Sequence, residues 1–370
     1  MIFSDCNFFK NGRFCYGSFE VNEGMFTYVK IDHDEPEPGK PYVIPGLIDI
    51  HTHGCMDHDF SDGNPDAMAV MAEFYAKHGV TSFCPTSLTL PYDVLGKAFS
   101  AVKAYADSDT KYARAAGIHM EGPYFSVKKK GAQNEAYLKL PDIEGFKLLN
   151  KECGGIIKMV DVAPELEGAV EFAEEISQIC TVSVAHTDAD YEQAYAVFDA
   201  GADHLTHMYN GMPPIHHRNP GVIGAAADHK GVYAELICDG HHVHPSAVRI
   251  AFSIFHNRIC LISDSLRCAG MPDGEYEIGG QAAFLKDGVA RLENGTIAGS
   301  SANLFQCLKN VISFGIPVDQ AIEAATINPA KSIGIGDIAG SIEPGKLGDF
   351  IVCDESLELE QVFIGGNAIE

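Results

Sequence analysis

The sequence predicts an α/β protein: a parallel (β/α)8 barrel of the TIM-like kind, with a small β-sandwich domain contributed by both termini. Three features lead there. Between residue 45 and about residue 335, short apolar segments of strand length alternate with amphipathic helical segments, the repeat that closes a parallel sheet into a barrel. No Gly-x-Gly-x-x-Gly follows any of these strands, which weakens the alternative of an open, doubly wound, dinucleotide-binding sheet. Both chain ends, by contrast, carry short alternating segments separated by turn residues.

Taken in order, residues 1–44 contain Gly17-Ser-Phe-Glu-Val21 and Met25-Phe-Thr-Tyr-Val-Lys-Ile31, which read as small antiparallel strands between Gly and Asn turns. Residues 45–336 form the predicted barrel. Helical patterns over 66–78, 101–107, 166–178, 191–200 and 245–255 alternate with extended segments at 81–84, 115–120, 181–186, 204–207 and 258–264. Residues 337–370 return to β, with strands at 349–353 and 360–364 around Pro344-Gly345 and Gly365-Gly366 turns. The two ends are expected to pair with each other beside the barrel.

Composition bounds the function. A formal net charge of -25 argues against a general nucleic-acid binder or an anionic membrane surface, both of which need a basic footprint. A small anionic substrate needs only one local basic pocket and is not excluded. The 11 cysteines include no Cys-x-x-Cys pair, as expected of reduced thiols in a cytoplasmic protein. Met1 to Lys10 lacks a signal-peptide pattern, and no apolar run reaches transmembrane length.

The chemistry begins at His51-Thr-His53, where the apolar run Val43–Ile50 ends. Side chains two apart on a strand point to the same side, so both imidazoles project together, a natural start for a divalent metal site. A lone His-x-His is more often a pair of half-buried structural histidines. Here, however, Glu121, His186, His207 and Asp264 each close a predicted strand. A barrel gathers strand ends on one C-terminal rim, so six ligand-type residues converge there.

With these motifs in place, the chain resembles the amidohydrolase superfamily and, within it, the N-acetylglucosamine-6-phosphate deacetylases. The resemblance rests on Pro45-Gly-Leu-Ile-Asp-Ile-His-Thr-His-Gly54, His119-Met-Glu-Gly-Pro123, Lys130-Gly-Ala-Gln133, Val162-Ala-Pro-Glu165 and Ala185-His186. It continues through Thr206-His-Met-Tyr-Asn210, Arg218-Asn-Pro-Gly221, Asp239-Gly-His-His242, Asp264, Gly299-Ser300, Ala325-Thr-Ile-Asn-Pro-Ala330 and Gly345-Lys-Leu-Gly-Asp349. It implies a metallo-dependent hydrolase barrel in which Glu121, His186 and His207 hold the principal divalent metal. His51 and His53, with Glu121 bridging, would hold a second, giving two per subunit. Zinc, iron, manganese and cobalt all suit such ligands. Asp264 is the implied general base, taking a proton from water and passing it to the departing amine. Arg218 offers a guanidinium fork suited to phosphate, with His242 and the amides of Asn210 and Gly211 as companions. Ala132 and Gln133 would face the sugar, and Ala302 and Leu304 would close around the acetyl group. Gln133 stands where one-metal members carry His, which shifts carbonyl polarisation towards metal.

The implied reaction is hydrolysis of N-acetylglucosamine 6-phosphate to glucosamine 6-phosphate and acetate, by a homodimer that shares its phosphate contacts across the interface. Two other readings stand beside it. One is a different amide hydrolase of the superfamily, with Arg218 reading a carboxylate. The other is a catalytically inert binding protein of the same fold, which the intact set of six ligand-type residues disfavours. The stretch Ser263-Asp-Ser-Leu-Arg-Cys268 departs from the small-residue sequence expected right after the catalytic aspartate, and Ser265 is expected to alter how tightly the acetyl end is held. His204, His216 and His217 read as structural or exposed.

Overall fold

The computed structural model describes all 370 residues. Eight parallel strands succeed one another around a ring: Leu47–Thr52, Val80–Pro85, Ile118–Tyr124, Ile157–Val162, Thr181–Val184, His204–Leu205, Tyr233–Ile237 and Ile259–Ile262. Two junctions complete it. Thr86 pairs with His119 in a parallel bridge, and the Asp264 amide donates to the His51 carbonyl at 2.9 Å, joining the last strand to the first. Strands covered on both faces read as continuous apolar runs, as Ile259-Cys-Leu-Ile262 does; all four residues are buried.

The surrounding helices carry their start signals. Pro65–Lys77 begins with Asn64 capping the Asp66 amide and Pro65 in the first turn. Tyr191–Asp199 begins with a capping box between Asp190 and Gln193. No helix is long and apolar enough to cross a membrane.

The termini share one sheet, ordered Asn367–Ala368, Leu359–Ile364, Phe350–Cys353, Tyr42–Pro45, Ile2–Lys10, Arg13–Asn22, Met25–His33. Phe3 and Phe363 lie on strands three spacings apart, about 14 Å in a flat sheet, yet their rings are 6.1 Å apart. The sheet therefore curls around its own aromatic core of Phe8, Phe19, Phe26 and Phe350.

Several expectations need correction. The apolar run from Val43 to Ile50 is two strands, not one. Tyr42–Pro45 belongs to the terminal sheet, where it pairs parallel with Ile2–Lys10, so that sheet is not wholly antiparallel. Leu47–Thr52 opens the barrel. The chain passes between them at Gly46, where a Cβ would lie 2.2 Å from Thr81 Oγ1. The helix expected at 101–107 spans Tyr92–Ala106; Gly96 and Lys97 dilute the apolar period of its first turns. The strands Ile157–Val162 and Tyr233–Ile237 escape a reading of apolar runs because Asp161 and Glu235 interrupt them. A three-stranded antiparallel sheet over 274–292 is also additional, and its flanks, Ile278 and Thr296–Gly299, reach the barrel mouth.

One ion pair ties the barrel to the terminal sheet. Arg114 donates to Asp349, which is 7% exposed and also accepts from the Gly365 amide. Burial raises the Asp349 carboxyl above its ordinary value, and Arg114 opposes the rise. Arg114→Ala should strand a buried carboxylate and destabilise the fold by about 1–3 kcal/mol near neutral pH. A carboxyl whose folded pKa is raised loses stability as pH climbs from its unfolded value through the folded one. Denaturant unfolding should therefore show the penalty growing between pH 4 and pH 8; a penalty that shrinks would contradict this role.

Candidate metal centre

His51 and His53 flank Thr52 at the end of the first barrel strand, with their Nε2 atoms 3.3 Å apart. Glu121 lies on the third strand, 2% exposed. His186, His207 and Asp264 follow the ends of their strands and all adopt left-handed backbone conformations, with φ of 43°, 30° and 47°. Such conformations cost about 1–3 kcal/mol each for a non-glycine residue and persist only where surrounding structure holds them. Main-chain bonds supply that hold. Ser126 donates to the His186 carbonyl at 2.9 Å, Met208 to Glu235 at 2.9 Å, and Ser300 to Asp264 at 2.7 Å.

The imidazoles are oriented from behind. Nδ1–H of His186 donates to the Lys129 carbonyl (2.8 Å), that of His53 to the Thr86 carbonyl (3.0 Å), and that of His51 to Glu235 Oε2 (2.9 Å). Each acceptor fixes the ring proton on Nδ1, so each Nε2 of the neutral ring presents a lone pair. Those lone pairs converge on carboxylate oxygens. His186 and His207 Nε2 both lie 3.1 Å from Glu121 Oε1 and 3.1 Å from each other, and His53 Nε2 is 3.2 Å from Asp264 Oδ1. Lone pairs facing carboxylates at such distances require a proton or a metal cation between them.

The surrounding charges favour a positive occupant. Burial disfavours charge on His53, but its bond to Asp264 and the nearby Glu121 override this and raise its pKa to about 9. His207 is likewise raised to about 9, against burial, by Glu121 and Asp264. Glu121 is held well below the carboxylate range despite burial by its bonds to His186 and His207, and Asp264 is lowered by His51 and His53. Two donor triads share one carboxylate: Glu121 with His186 and His207, and Glu121 with His51 and His53. Nitrogen and carboxylate donors so arranged fit divalent cations.

The cluster opens into a cavity of about 190 Å³. Ala132, Gln133, Asn210, Gly211 and His242, which the resemblance assigns to substrate, line it. Gln133 is pinned at both ends: its Oε1 accepts from the Thr89 amide at 2.7 Å, which turns its Nε2 to donate to Glu121 Oε2. Gly211 lies against His186, where a Cβ would be 2.9 Å from Nδ1. The His242 ring is held by Asp239 at 2.7 Å.

Other residues fall elsewhere. Arg218 is exposed on the 212–219 loop, with its guanidinium against His217 Nε2 at 2.7 Å, outside the cavity lining. Ala302 and Leu304 also stand outside the lining, and Leu304 is fully buried in the barrel core. The apolar wall comes instead from Leu88, Leu266, Ile278, Ile297 and Ala298. Ser265 faces away from the cavity, bonding Thr52 Oγ1 (2.7 Å) and the Gly54 carbonyl (2.8 Å), so it braces the His-x-His turn rather than the acetyl end.

Sequence reasoning missed the polar layer beneath the histidines. Glu235, held well below the carboxylate range against burial by His51 and His204, bonds His51, His204 and the His207 amide. Asp161 accepts from His119 at 2.9 Å and from Thr206 at 3.0 Å. The available signal was an acidic residue inside each of two strand-length apolar runs, 157–162 and 233–237.

The amidohydrolase family profile matches residues 42–369. The N-acetylglucosamine-6-phosphate deacetylase of Bacillus subtilis is 35% identical, covering 95% of this chain and 92% of that protein. The N-acetylgalactosamine-6-phosphate deacetylase of Escherichia coli O157:H7 is 35% identical, covering 88% and 86%. The structure of a variant N-acetyl-D-glucosamine-6-phosphate deacetylase from Mycobacterium smegmatis, in complex with N-acetyl-D-glucosamine-6-phosphate, superposes with a TM-score of 0.93. It is 28% identical and covers 100% of this chain and 99% of that one.

A site assembled from facing lone pairs should be stabilised by its cation. Adding a divalent metal to chelator-stripped protein, at about 100 times its Kd, should stabilise the fold by about 2.7 kcal/mol per site. A thermal unfolding midpoint that does not move would contradict the assignment.

Proposed function

The chain belongs to the amidohydrolase family, and from that membership we propose that it hydrolyses N-acetyl-D-glucosamine 6-phosphate to D-glucosamine 6-phosphate and acetate, in cytoplasmic amino-sugar catabolism. The observation that carries this reading is the buried Asp264 carboxylate at the edge of the four-imidazole cluster, with both facing one cavity. Glu121, His186 and His207 would hold the principal divalent cation, and His51 and His53, with Glu121 shared, a second. A divalent cation bound there lowers the pKa of water and polarises the acetamide carbonyl.

This chain's residues do the rest. Asp264, kept ionised by the neighbouring imidazoles, accepts the proton of the attacking water. It then returns that proton to the sugar nitrogen as the C–N bond breaks, turning a poor amide anion into a neutral amine. Gln133 and the left-handed turns at His186 and His207 keep the cluster in place, so little reorganisation accompanies charge development. Leu88, Leu266 and Ile297 limit water at the acetyl end.

The phosphate falls to His242, the Asn210–Gly211 segment and Arg218. Because Arg218 projects outside its own cavity, it suits the homodimer we propose, in which phosphate contacts are shared across the interface. The Escherichia coli relative's name makes the galactosamine epimer the second substrate to test.

Acetate release should be measured from N-acetylglucosamine 6-phosphate, N-acetylgalactosamine 6-phosphate and unphosphorylated N-acetylglucosamine. We expect kcat/KM to favour the first, and to exceed that of the unphosphorylated sugar by at least about a hundredfold, the equivalent of two charge-assisted hydrogen bonds. Equal rates with and without phosphate would overturn the phosphate reading; preference for the galactosamine epimer would reassign the substrate. Asp264→Asn should lower kcat by about 10²–10⁴-fold while the principal metal is retained, and a near-wild-type rate would remove Asp264 from its role.

A further inference from the structure

We propose that Glu235 is a positioning residue that sets occupancy of the His51–His53 metal position, an inference that rests on the two-metal reading above. Glu235 lies on the strand Tyr233–Ile237, is 0% exposed, and is absent from the cavity lining, so it has no route to substrate. Its Oε2 accepts from His51 Nδ1 at 2.9 Å and from the His207 amide at 3.0 Å, and its Oε1 accepts from His204 Nε2 at 3.2 Å.

The four metal-facing imidazoles are supported unequally. His53 and His186 donate their Nδ1 protons to neutral main-chain carbonyls. His207 Nδ1 is buried with no partner. Only His51 has a carboxylate behind its ring. An anionic acceptor on Nδ1 raises the donor strength of Nε2 and holds it forward, an effect worth 10–100-fold in metal affinity where it has been removed.

Charge points the same way. Glu121 and Asp264 bring two negative charges to the cluster, enough to neutralise one divalent cation. A second adds two positive charges in a largely buried site, where unbalanced charge is expensive. Glu235 supplies a third negative charge without occupying a coordination position. The same carboxylate also pins the backbone at His207, a ligand of the other position, so it couples the two halves mechanically while favouring one electrostatically.

The test is a zinc(II) titration of chelator-stripped wild type, Glu235→Gln and Glu235→Ala, read as equivalents bound by elemental mass spectrometry after dialysis. Gln keeps the size and can still accept from His51, so it isolates the charge and guards against a folding failure in the Ala variant. The proposal predicts two equivalents in wild type. In Glu235→Gln it predicts one equivalent of unchanged affinity and a second weakened about 10–100-fold. A purely structural Glu235 would instead lower the unfolding temperature of the stripped variant and leave both affinities at wild-type values, which would overturn the proposal. Loss of both equivalents in folded Glu235→Gln would overturn its selectivity for the His51 half. A single equivalent in wild type would overturn the two-metal reading itself, a result distinct from either failure in the variants.

Discussion

The site depends on one buried carboxylate. Glu121 stands at the centre of the barrel mouth with His186 and His207 each 3.1 Å from one oxygen and His53 3.6 Å from the other. Burying a carboxylate among imidazole lone pairs is unfavourable unless a proton or a cation mediates. Much of the surrounding structure enforces that approach. Backbone carbonyls turn Nδ1 of His53 and His186 away, and Gln133 is oriented by the Thr89 amide so that it donates to Glu121. Strain at His186, His207 and Asp264 is accepted in exchange for that convergence.

Below this plane the barrel carries a layer of buried polar pairs beside an apolar cluster that includes Met159, Ile237, Cys260 and Ile262. His119 with Asp161, and His204 with Glu235, are fully buried pairs, and Thr206 and Ser183 join them. These groups hold the histidine cluster from underneath. They couple neighbouring strands through side chains as well as through the sheet, which suits a candidate metal site whose imidazoles must keep their positions.

The relation between sequence and structure follows from the same physics. The candidate ligand residues are legible because parallel strands end on one rim, so a histidine or carboxylate closing an apolar run has a predictable address; His51, His53, Glu121, His186, His207 and Asp264 all do converge. The polar layer is not legible in that way. Glu235 and Asp161 sit inside strands, and a period-based reading takes a buried acid for a break in the run rather than for a partner of a histidine far away in sequence. Ser265 misled for a related reason: adjacency to Asp264 suggested contact with substrate, whereas the turn directs it to Thr52 and Gly54. Loop residues were least predictable. Arg218 and Leu304 owe their positions to an exposed loop and to the start of the helix Leu304–Ser313, and neither follows from strand ends.

The central claim is that one carboxylate serves both halves of the metal cluster, and the metal content of Glu121→Gln tests it most directly. Gln preserves the volume but removes the charge that four imidazoles and Asp264 are arranged around. If Glu121 is shared, the purified, folded variant should retain close to no tightly bound divalent metal when elemental analysis is compared with wild type. Retention of a full equivalent would mean that one half stands without Glu121, and would contradict the shared-carboxylate account.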